Sequence, residues 1–161
     1  MEIKTGHFYF IDEQYFIDFP DDNLMCNKES VNGKPHNRPC FYTFKDNTTG
    51  LFWLIPLSSQ VDKYKEYYNS KIIRHGICDT IEFGEVLGSE KVFLIQNMCP
   101  ITEKYILNEY IDRQCSVPVR IDGRIEDKII KKAKKVLKLQ RKGFKLIFPD
   151  VQKIEEQLLS K

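Results

Sequence analysis

Cys40-Phe41-Tyr42-Thr43-Phe44-Lys45-Asp46-Asn47-Thr48-Thr49-Gly50-Leu51-Phe52-Trp53-Leu54-Ile55-Pro56-Leu57-Ser58-Ser59 is the stretch on which the fold turns. Two aromatic and branched apolar runs, Phe41 to Phe44 and Leu51 to Leu57, flank a cluster of turn formers from Asp46 to Gly50, which predicts an antiparallel hairpin. Downstream, Glu82 to Leu87 and Lys91 to Ile95 flank Gly88-Ser89 and predict a second hairpin, with glycine at the first central position of a type II′ turn. Upstream, His7 to Ile11 reads as a strand. A short amphipathic stretch through Tyr15, Phe16 and Phe19 then ends before Pro20, and residues 20 to 37 read as a long loop.

Between the hairpins, Ser58-Ser59 stands ahead of Val61, Tyr64, Tyr67 and Tyr68, a helical spacing with a serine available as N-cap. Thr102 opens a similar pattern through Tyr105, Ile106 and Ile111. The clearest helix lies at residues 125–142: Ile125, Ile129, Ile130, Ala133, Val136 and Leu137 fall on one arc, basic residues fill the other, and Gly143 ends it. Phe144 to Phe148 reads as a further strand and Val151 to Leu159 as a tail helix. The expected architecture is α+β, a single domain over residues 1–161 with a compact, strongly bent antiparallel sheet forming a partial barrel and helices added to it.

Composition narrows the partners. The net charge is only +2, yet residues 124 to 145 hold ten basic side chains against two acidic ones, +8, so the remainder carries −6. A basic segment concentrated in this way points to a polyanion held at one place. The apolar runs are too short to cross a bilayer, no signal peptide precedes them, and five irregularly spaced cysteines fit reduced thiols, so a soluble cytoplasmic protein is expected.

Dense catalytic signatures are missing: there is no Walker loop, dinucleotide fingerprint, H-E-x-x-H, nucleophile elbow or calcium loop. The acidic residues are scattered, so no metal and no cofactor is expected. RNA offers metal-free chemistry, because its own 2′-hydroxyl attacks the adjacent phosphate once proton carriers and positive charge are supplied. Gly33-Lys34-Pro35-His36-Asn37-Arg38-Pro39 gathers Lys, His and Arg, although a solvated surface loop would have the same composition. Ser58-Ser59 at a helix start would make a phosphate cradle, although most serines there are only caps. His7 and His75 are read as structural or surface residues.

The opening Phe8-Tyr9-x-Ile11 followed by Tyr15-Phe16, the Asn37-Arg38-Pro39 that leads into an aromatic strand, Ile55-Pro56-Leu57-Ser58-Ser59, and Gln96-Asn97-Met98-Cys99-Pro100 run in order over roughly the first two-thirds of the chain. Together they resemble the type III toxin-antitoxin toxins, the family of ToxN, AbiQ and CptN, with CptN the nearest in pattern. The resemblance implies a barrel-like sheet similar to that of Kid and MazF, with the SH3-like curvature of that group. It also implies a metal-independent endoribonuclease that leaves 2′,3′-cyclic phosphate and 5′-hydroxyl ends, acts in abortive infection, and is restrained by an RNA antitoxin whose folded repeats close into an RNA-protein assembly. The family's hydroxyl carries over to Ser58, with Ser59 beside it, and its basic residue to Arg38 or Lys34. Its lysine after the Thr-Ser pair has no direct counterpart, since Gln60-Val61-Asp62 comes first and Lys63 is the nearest replacement.

On this basis Ser58 orients the phosphate or the 2′-hydroxyl, Lys34 and Arg38 stabilise charge, and His36 carries a proton. Single changes of Ser58 or Arg38 to Ala are expected to abolish activity without unfolding the chain. Lys128, Lys131, Lys132, Lys134, Lys135, Lys138, Arg141 and Lys142 are expected to bind RNA, on the ground that no acidic partner shares their arc. The alternatives are a non-catalytic RNA-binding protein that uses helix 125–142, and a helix whose charges merely face solvent.

Overall fold

The computed structural model describes residues 1–160. The hairpin that the aromatic stretch predicts forms as β4 (Cys40–Lys45) and β5 (Phe52–Ser58), with Cys40 opposite Pro56 and Phe41 opposite Ile55. On the other side of β4 lies β1 (Phe8–Ile11), and outside β1 lies β9 (Ile106–Glu109). The free edge of β5 is divided: Phe52 to Leu54 pair with β8 (Cys99–Ile101), whereas Leu57 and Ser58 pair with β7 (Ser89–Phe93), which carries β6 (Glu82–Val86) outside it. Pro56 sits where the partner changes. It has no N–H to give to a ladder, so the switch falls where least pairing is lost.

All these pairings are antiparallel, and the spatial order is β6-β7-β5-β4-β1-β9 with β8 beside β5. The two end strands do not pair, so the sheet stays open; the expected α+β class holds and the barrel does not close. Two small hairpins stand apart, β2 (Lys28–Val31) with β3 (Lys34–Asn37), and β10 (Ile111–Asp112) with β11 (Val117–Pro118).

Both faces of the central sheet are covered, which is why β5 is an unbroken apolar run and not an alternating one. Phe8, Phe41, Trp53, Ile55 and Phe93 face α3 (Gly123–Arg141) through Ile129, Ala133, Val136 and Leu137. Tyr9, Tyr42, Leu54, Cys99 and Ile101 face the opposite way, against α1 (Glu13–Asp18) and α4 (Val151–Leu159), through Tyr15, Ile154 and Leu158. A third cluster packs α2 (Val61–His75) by Tyr64 onto Ile81, Val92 and Leu94. Gly143 ends α3 with φ 103°, and the bonds from Gly143 N to Gln140 O and from Phe144 N to Leu139 O complete a Schellman closure.

Several expectations fail for identifiable reasons. Residues 28–37 form a hairpin where a loop was expected, because Asn32 and Gly33 at φ 54° and 76° supply the type I′ turn that their dipeptide favours. In the β6–β7 hairpin Val86 pairs with Ser89, so Leu87 and Gly88, at φ 50° and 80°, are the central pair of a type I′ turn instead of Gly88-Ser89 in type II′. The segment from Thr102 makes a single 3-10 turn at Glu103–Tyr105 and then strand β9, since Ile106 and Tyr105 are buried at the sheet edge while helical continuation would expose them. Phe144 to Phe148 joins no sheet; the Gln140 side-chain oxygen accepts the Leu146 and Ile147 amides that a ladder would have used. The cap of α2 is Gln60, with no side-chain cap bond, and neither serine fills that role.

Candidate active site

β5 delivers Leu57, Ser58 and Ser59 to the head of α2, and the β2–β3 hairpin folds over that point. Its hinge is Arg38. The Arg38 backbone N–H donates to Asn27 O at 2.8 Å, Nε donates to Cys26 O at 2.8 Å, and Nη1 donates to Leu57 O and to Glu29 Oε2, the last at 2.9 Å. The guanidinium therefore ties the base of the hairpin to the end of β5, and only 7% of Arg38 is exposed.

Glu29 completes the clamp. Ser59 N and Oγ donate to its two carboxylate oxygens at 3.0 and 2.7 Å, and Lys91 Nζ, arriving from β7, donates to Ser59 Oγ at 2.7 Å. Burial pushes the Glu29 carboxyl up, but the Ser59 hydrogen bonds and the charges of Arg38 and Lys91 outweigh it, so it titrates below the ordinary carboxylate range. With one proton given and one accepted, the Ser59 hydroxyl has a fixed orientation.

Ser58 behaves differently from its neighbour. It is 1% exposed, and its Oγ accepts from Gln60 N at 3.1 Å, which turns the chain into α2. His36 stands opposite Glu29 in the hairpin, and Lys34 opposite Val31, so both basic side chains share one face of the hairpin with Glu29. A cleft of about 1070 Å³ opens there, lined by Glu29, His36, Ser58, Ser59, Lys91, Arg113 and the aromatic pair Phe10–Tyr110, whose rings meet edge-on at 5.2 Å. Lys34 is exposed toward the hairpin tip, and Lys63 is exposed on α2 with its ammonium 5.3 Å from the Tyr64 ring; neither lines the cleft. The structure thus gathers Ser58, Ser59, His36 and Arg38, leaves Lys34 and Lys63 outside, and adds Glu29 and Lys91, which sequence reasoning missed. Asn32-Gly33 could have fixed the hairpin register and so found Glu29. Nothing local marks Lys91, 32 residues beyond Ser59.

Among the described residues, no group of three or more His, Cys, Asp or Glu side chains is gathered as metal ligands would be. His7 is held by Glu109 at 2.5 Å and by Arg120 at 3.2 Å, in keeping with a structural part. No helix among the described residues is long and apolar enough to cross a membrane.

The basic arc of α3 corrects one premise. Acidic partners do exist, supplied by other elements: Lys128 and Lys132 pair with Glu82, Lys135 with Asp79, and Arg141 with both Asp46 and Glu155. Lys132 is further tied to Cys78 O at 2.8 Å. Lys131, Lys134, Lys138 and Lys142 are exposed and make no ion pair among the described residues, although Lys134 lies over the Phe44 ring at 5.7 Å. Their spacing of three, four and four residues puts them on one stripe at about 100° per residue.

No family model and no curated protein matches the sequence. Solved structures do match the fold. AbiQ, a lactococcal anti-phage endoribonuclease of a type-III toxin-antitoxin system, superposes with a TM-score of 0.66 over 98% of this chain and 100% of its own, at 15% identity. A protein solved in work on a bacterial antiviral system regulated by a processed non-coding RNA superposes with a TM-score of 0.60 over 93% of this chain and 95% of its own, at 18% identity. The chain shares one fold, end to end, with both.

Proposed function

We propose that this chain is the toxin of a type III toxin-antitoxin pair, an endoribonuclease that cleaves RNA without a metal and is restrained by an RNA antitoxin. The observation that carries the proposal is the full-length likeness to AbiQ, joined to a cleft that brings His36, Ser58 and Ser59 of the sequence motifs together. In that cleft the 2′-hydroxyl attacks the adjacent phosphate, and 2′,3′-cyclic phosphate and 5′-hydroxyl ends result. Ser59, whose one proton is held by Glu29, orients the 2′-hydroxyl through its remaining lone pair, and Ser58 shapes the turn that presents it. His36 carries a proton, and Phe10 and Tyr110 offer faces on which bases stack. Arg38 acts chiefly by holding the hairpin, and Lys34 reaches the RNA from the tip. A CptN-like kinship and a sheet similar to that of Kid and MazF belong to the same proposal.

The unpaired stripe of Lys131, Lys134, Lys138 and Lys142 takes the folded antitoxin, through phosphate contacts that carry little sequence information. The same stripe is what a purely RNA-binding protein would use, so cleavage is the discriminating measurement. Purified protein incubated with RNA in excess EDTA should cut it and leave cyclic phosphate ends. Intact RNA, a strict magnesium requirement or 5′-phosphate ends would refute the proposal.

A further inference from the structure

The Ser59 hydroxyl joins two groups from distant parts of the chain, since Lys91 Nζ donates to it at 2.7 Å and it donates to Glu29 Oε1 at 2.7 Å. The charges along this relay do not cancel. Glu29 is neutralised by Arg38 at 2.9 Å and also accepts the Ser59 N–H and hydroxyl. Lys91, half-buried on β7 opposite Gly84, makes no ion pair among the described residues, and its ammonium has three donors of which Ser59 accepts one. An uncompensated cation with donors to spare lines the cleft. Holding it half out of water has a cost that an anionic ligand would offset.

We propose that Lys91 is a catalytic residue of this cleft: its ammonium contacts the non-bridging oxygens of the scissile phosphate and stabilises the negative charge that builds there, while Ser59 orients it and Glu29 is a positioning residue. The inference rests on the endoribonuclease reading above. In the step, the 2′-oxygen–phosphorus bond forms and the bond from phosphorus to the 5′-oxygen breaks. The 2′-hydroxyl proton passes to His36, a water molecule gives a proton to the departing 5′-oxygen, the hydroxide so formed takes the proton back from His36, and Lys91 keeps its own proton throughout. Lys63, the next lysine after the serine pair, lies over Tyr64 and outside the cleft, whereas Lys91 lines it.

The test uses the purified chain, a 5′-labelled pool of random-sequence RNA for single-turnover cleavage, and the same pool as non-cleavable 2′-deoxy strands for affinity. One electrostatic donor aimed at developing charge is worth about 100-fold to 1000-fold in rate, so Lys91→Met should slow cleavage by about that much. Lys91→Gln, which keeps a donor for Ser59 without the charge, should be as slow. Lys91→Arg should recover to within about tenfold of the wild type, because charge and donors are both restored. Affinity for the 2′-deoxy pool should fall by less than about fivefold in all three variants, since the interaction strengthens mainly in the transition state. The pH dependence of the slowed variants should keep the wild-type shape, because Lys91 transfers no proton.

Cleavage by Lys91→Met or Lys91→Gln within about threefold of the wild type would overturn the proposal. So would an Arg variant as slow as the Met variant, or loss of one limb of the pH profile. A wild-type chain that leaves the RNA pool intact in EDTA and in magnesium alike would sink the endoribonuclease reading itself, a result distinct from any of these.

Discussion

Replacing Arg38 by Ala should unfold the protein more readily before it says anything about chemistry. Arg38 and Glu29 are 8% and 13% exposed at their side chains, so the pair lies at the buried end of the range for ion pairs. Removing the guanidinium leaves the carboxylate with only the Ser59 donors and the more distant Lys91, and it strips the Cys26 and Leu57 carbonyls of their donor. Breaking one side of a buried pair costs about 3–5 kcal/mol. For a chain of this size each kcal/mol moves the midpoint by about 2–4 °C, so Tm should fall by about 6–20 °C. The loss should also depend on pH. Because the Glu29 carboxyl titrates below its ordinary value of 4.5 in the folded state, the stability it adds is present above that value and is lost as pH falls through the folded pKa. The Tm difference between wild type and Arg38→Ala should therefore be full at neutral pH and shrink below about pH 4. Calorimetric melts of both proteins across that range decide it. A fall of less than about 2 °C at neutral pH, or a difference unchanged in acid, would refute the account of Arg38 as the clamp of the hairpin. The sequence alone leads to the expectation that this variant stays folded and merely loses activity, and the burial of the side chain argues for the opposite outcome. Lost toxicity in Arg38→Ala would therefore report on stability as well as catalysis.

Gly6→Ala should destabilise by at least about 1–3 kcal/mol, seen as a lower urea midpoint, because Gly6 sits at φ 85° and an added Cβ would meet Glu126 Oε1 at 2.1 Å. An unchanged midpoint would refute both the strain at that φ and the cost of displacing Glu126 from Arg120. Ser59→Ala should abolish cleavage of RNA with little loss of affinity, whereas Ser58→Ala should act mainly through the turn into α2 and lower Tm. Equal activity losses with equal Tm values would contradict the separation of the two serines. Changing Lys131, Lys138 and Lys142 together to Ala should weaken antitoxin RNA and reduce the slope of log K against log salt by about 0.7–0.9 for each phosphate that is no longer neutralised. The same three changes should leave Tm almost unmoved, since none of these lysines makes an ion pair among the described residues. An unchanged slope would mean that the stripe faces solvent only.

How far the site could be read from sequence followed from how local its causes are. β4, β5 and α3 announce themselves because a core-facing pattern and its terminators lie within one short segment: the Asp46 to Gly50 turn, the arc from Ile125 to Leu137, and Gly143 at φ 103°. Where propensity was overruled, the cause was tertiary. Tyr105 and Ile106 go into a 3-10 turn and a strand because the sheet edge beside β1 buries them, a fact that no window around Thr102 contains. The β2–β3 hairpin is the opposite case, since Asn32-Gly33 did announce it, but the flanking Lys28 to Val31 and Lys34 to Asn37 are polar enough to look like loop. That polarity has a physical origin. One face of the hairpin carries Glu29 inward to Arg38 and Ser59, while its other residues meet water and the cleft, so there was never an apolar face for periodicity to reveal. The same logic governs the charges of α3. Whether a basic residue on that arc is ion-paired is decided by Asp79, Glu82, Asp46 and Glu155, which approach from three other places in the chain and divide an evenly basic helix into a paired side and an open stripe. The groups that fix Ser59 are thus its partners: Glu29 is within reach of a reading that starts from the Asn32-Gly33 turn, whereas Lys91, 32 residues beyond Ser59, leaves no pattern in a single sequence.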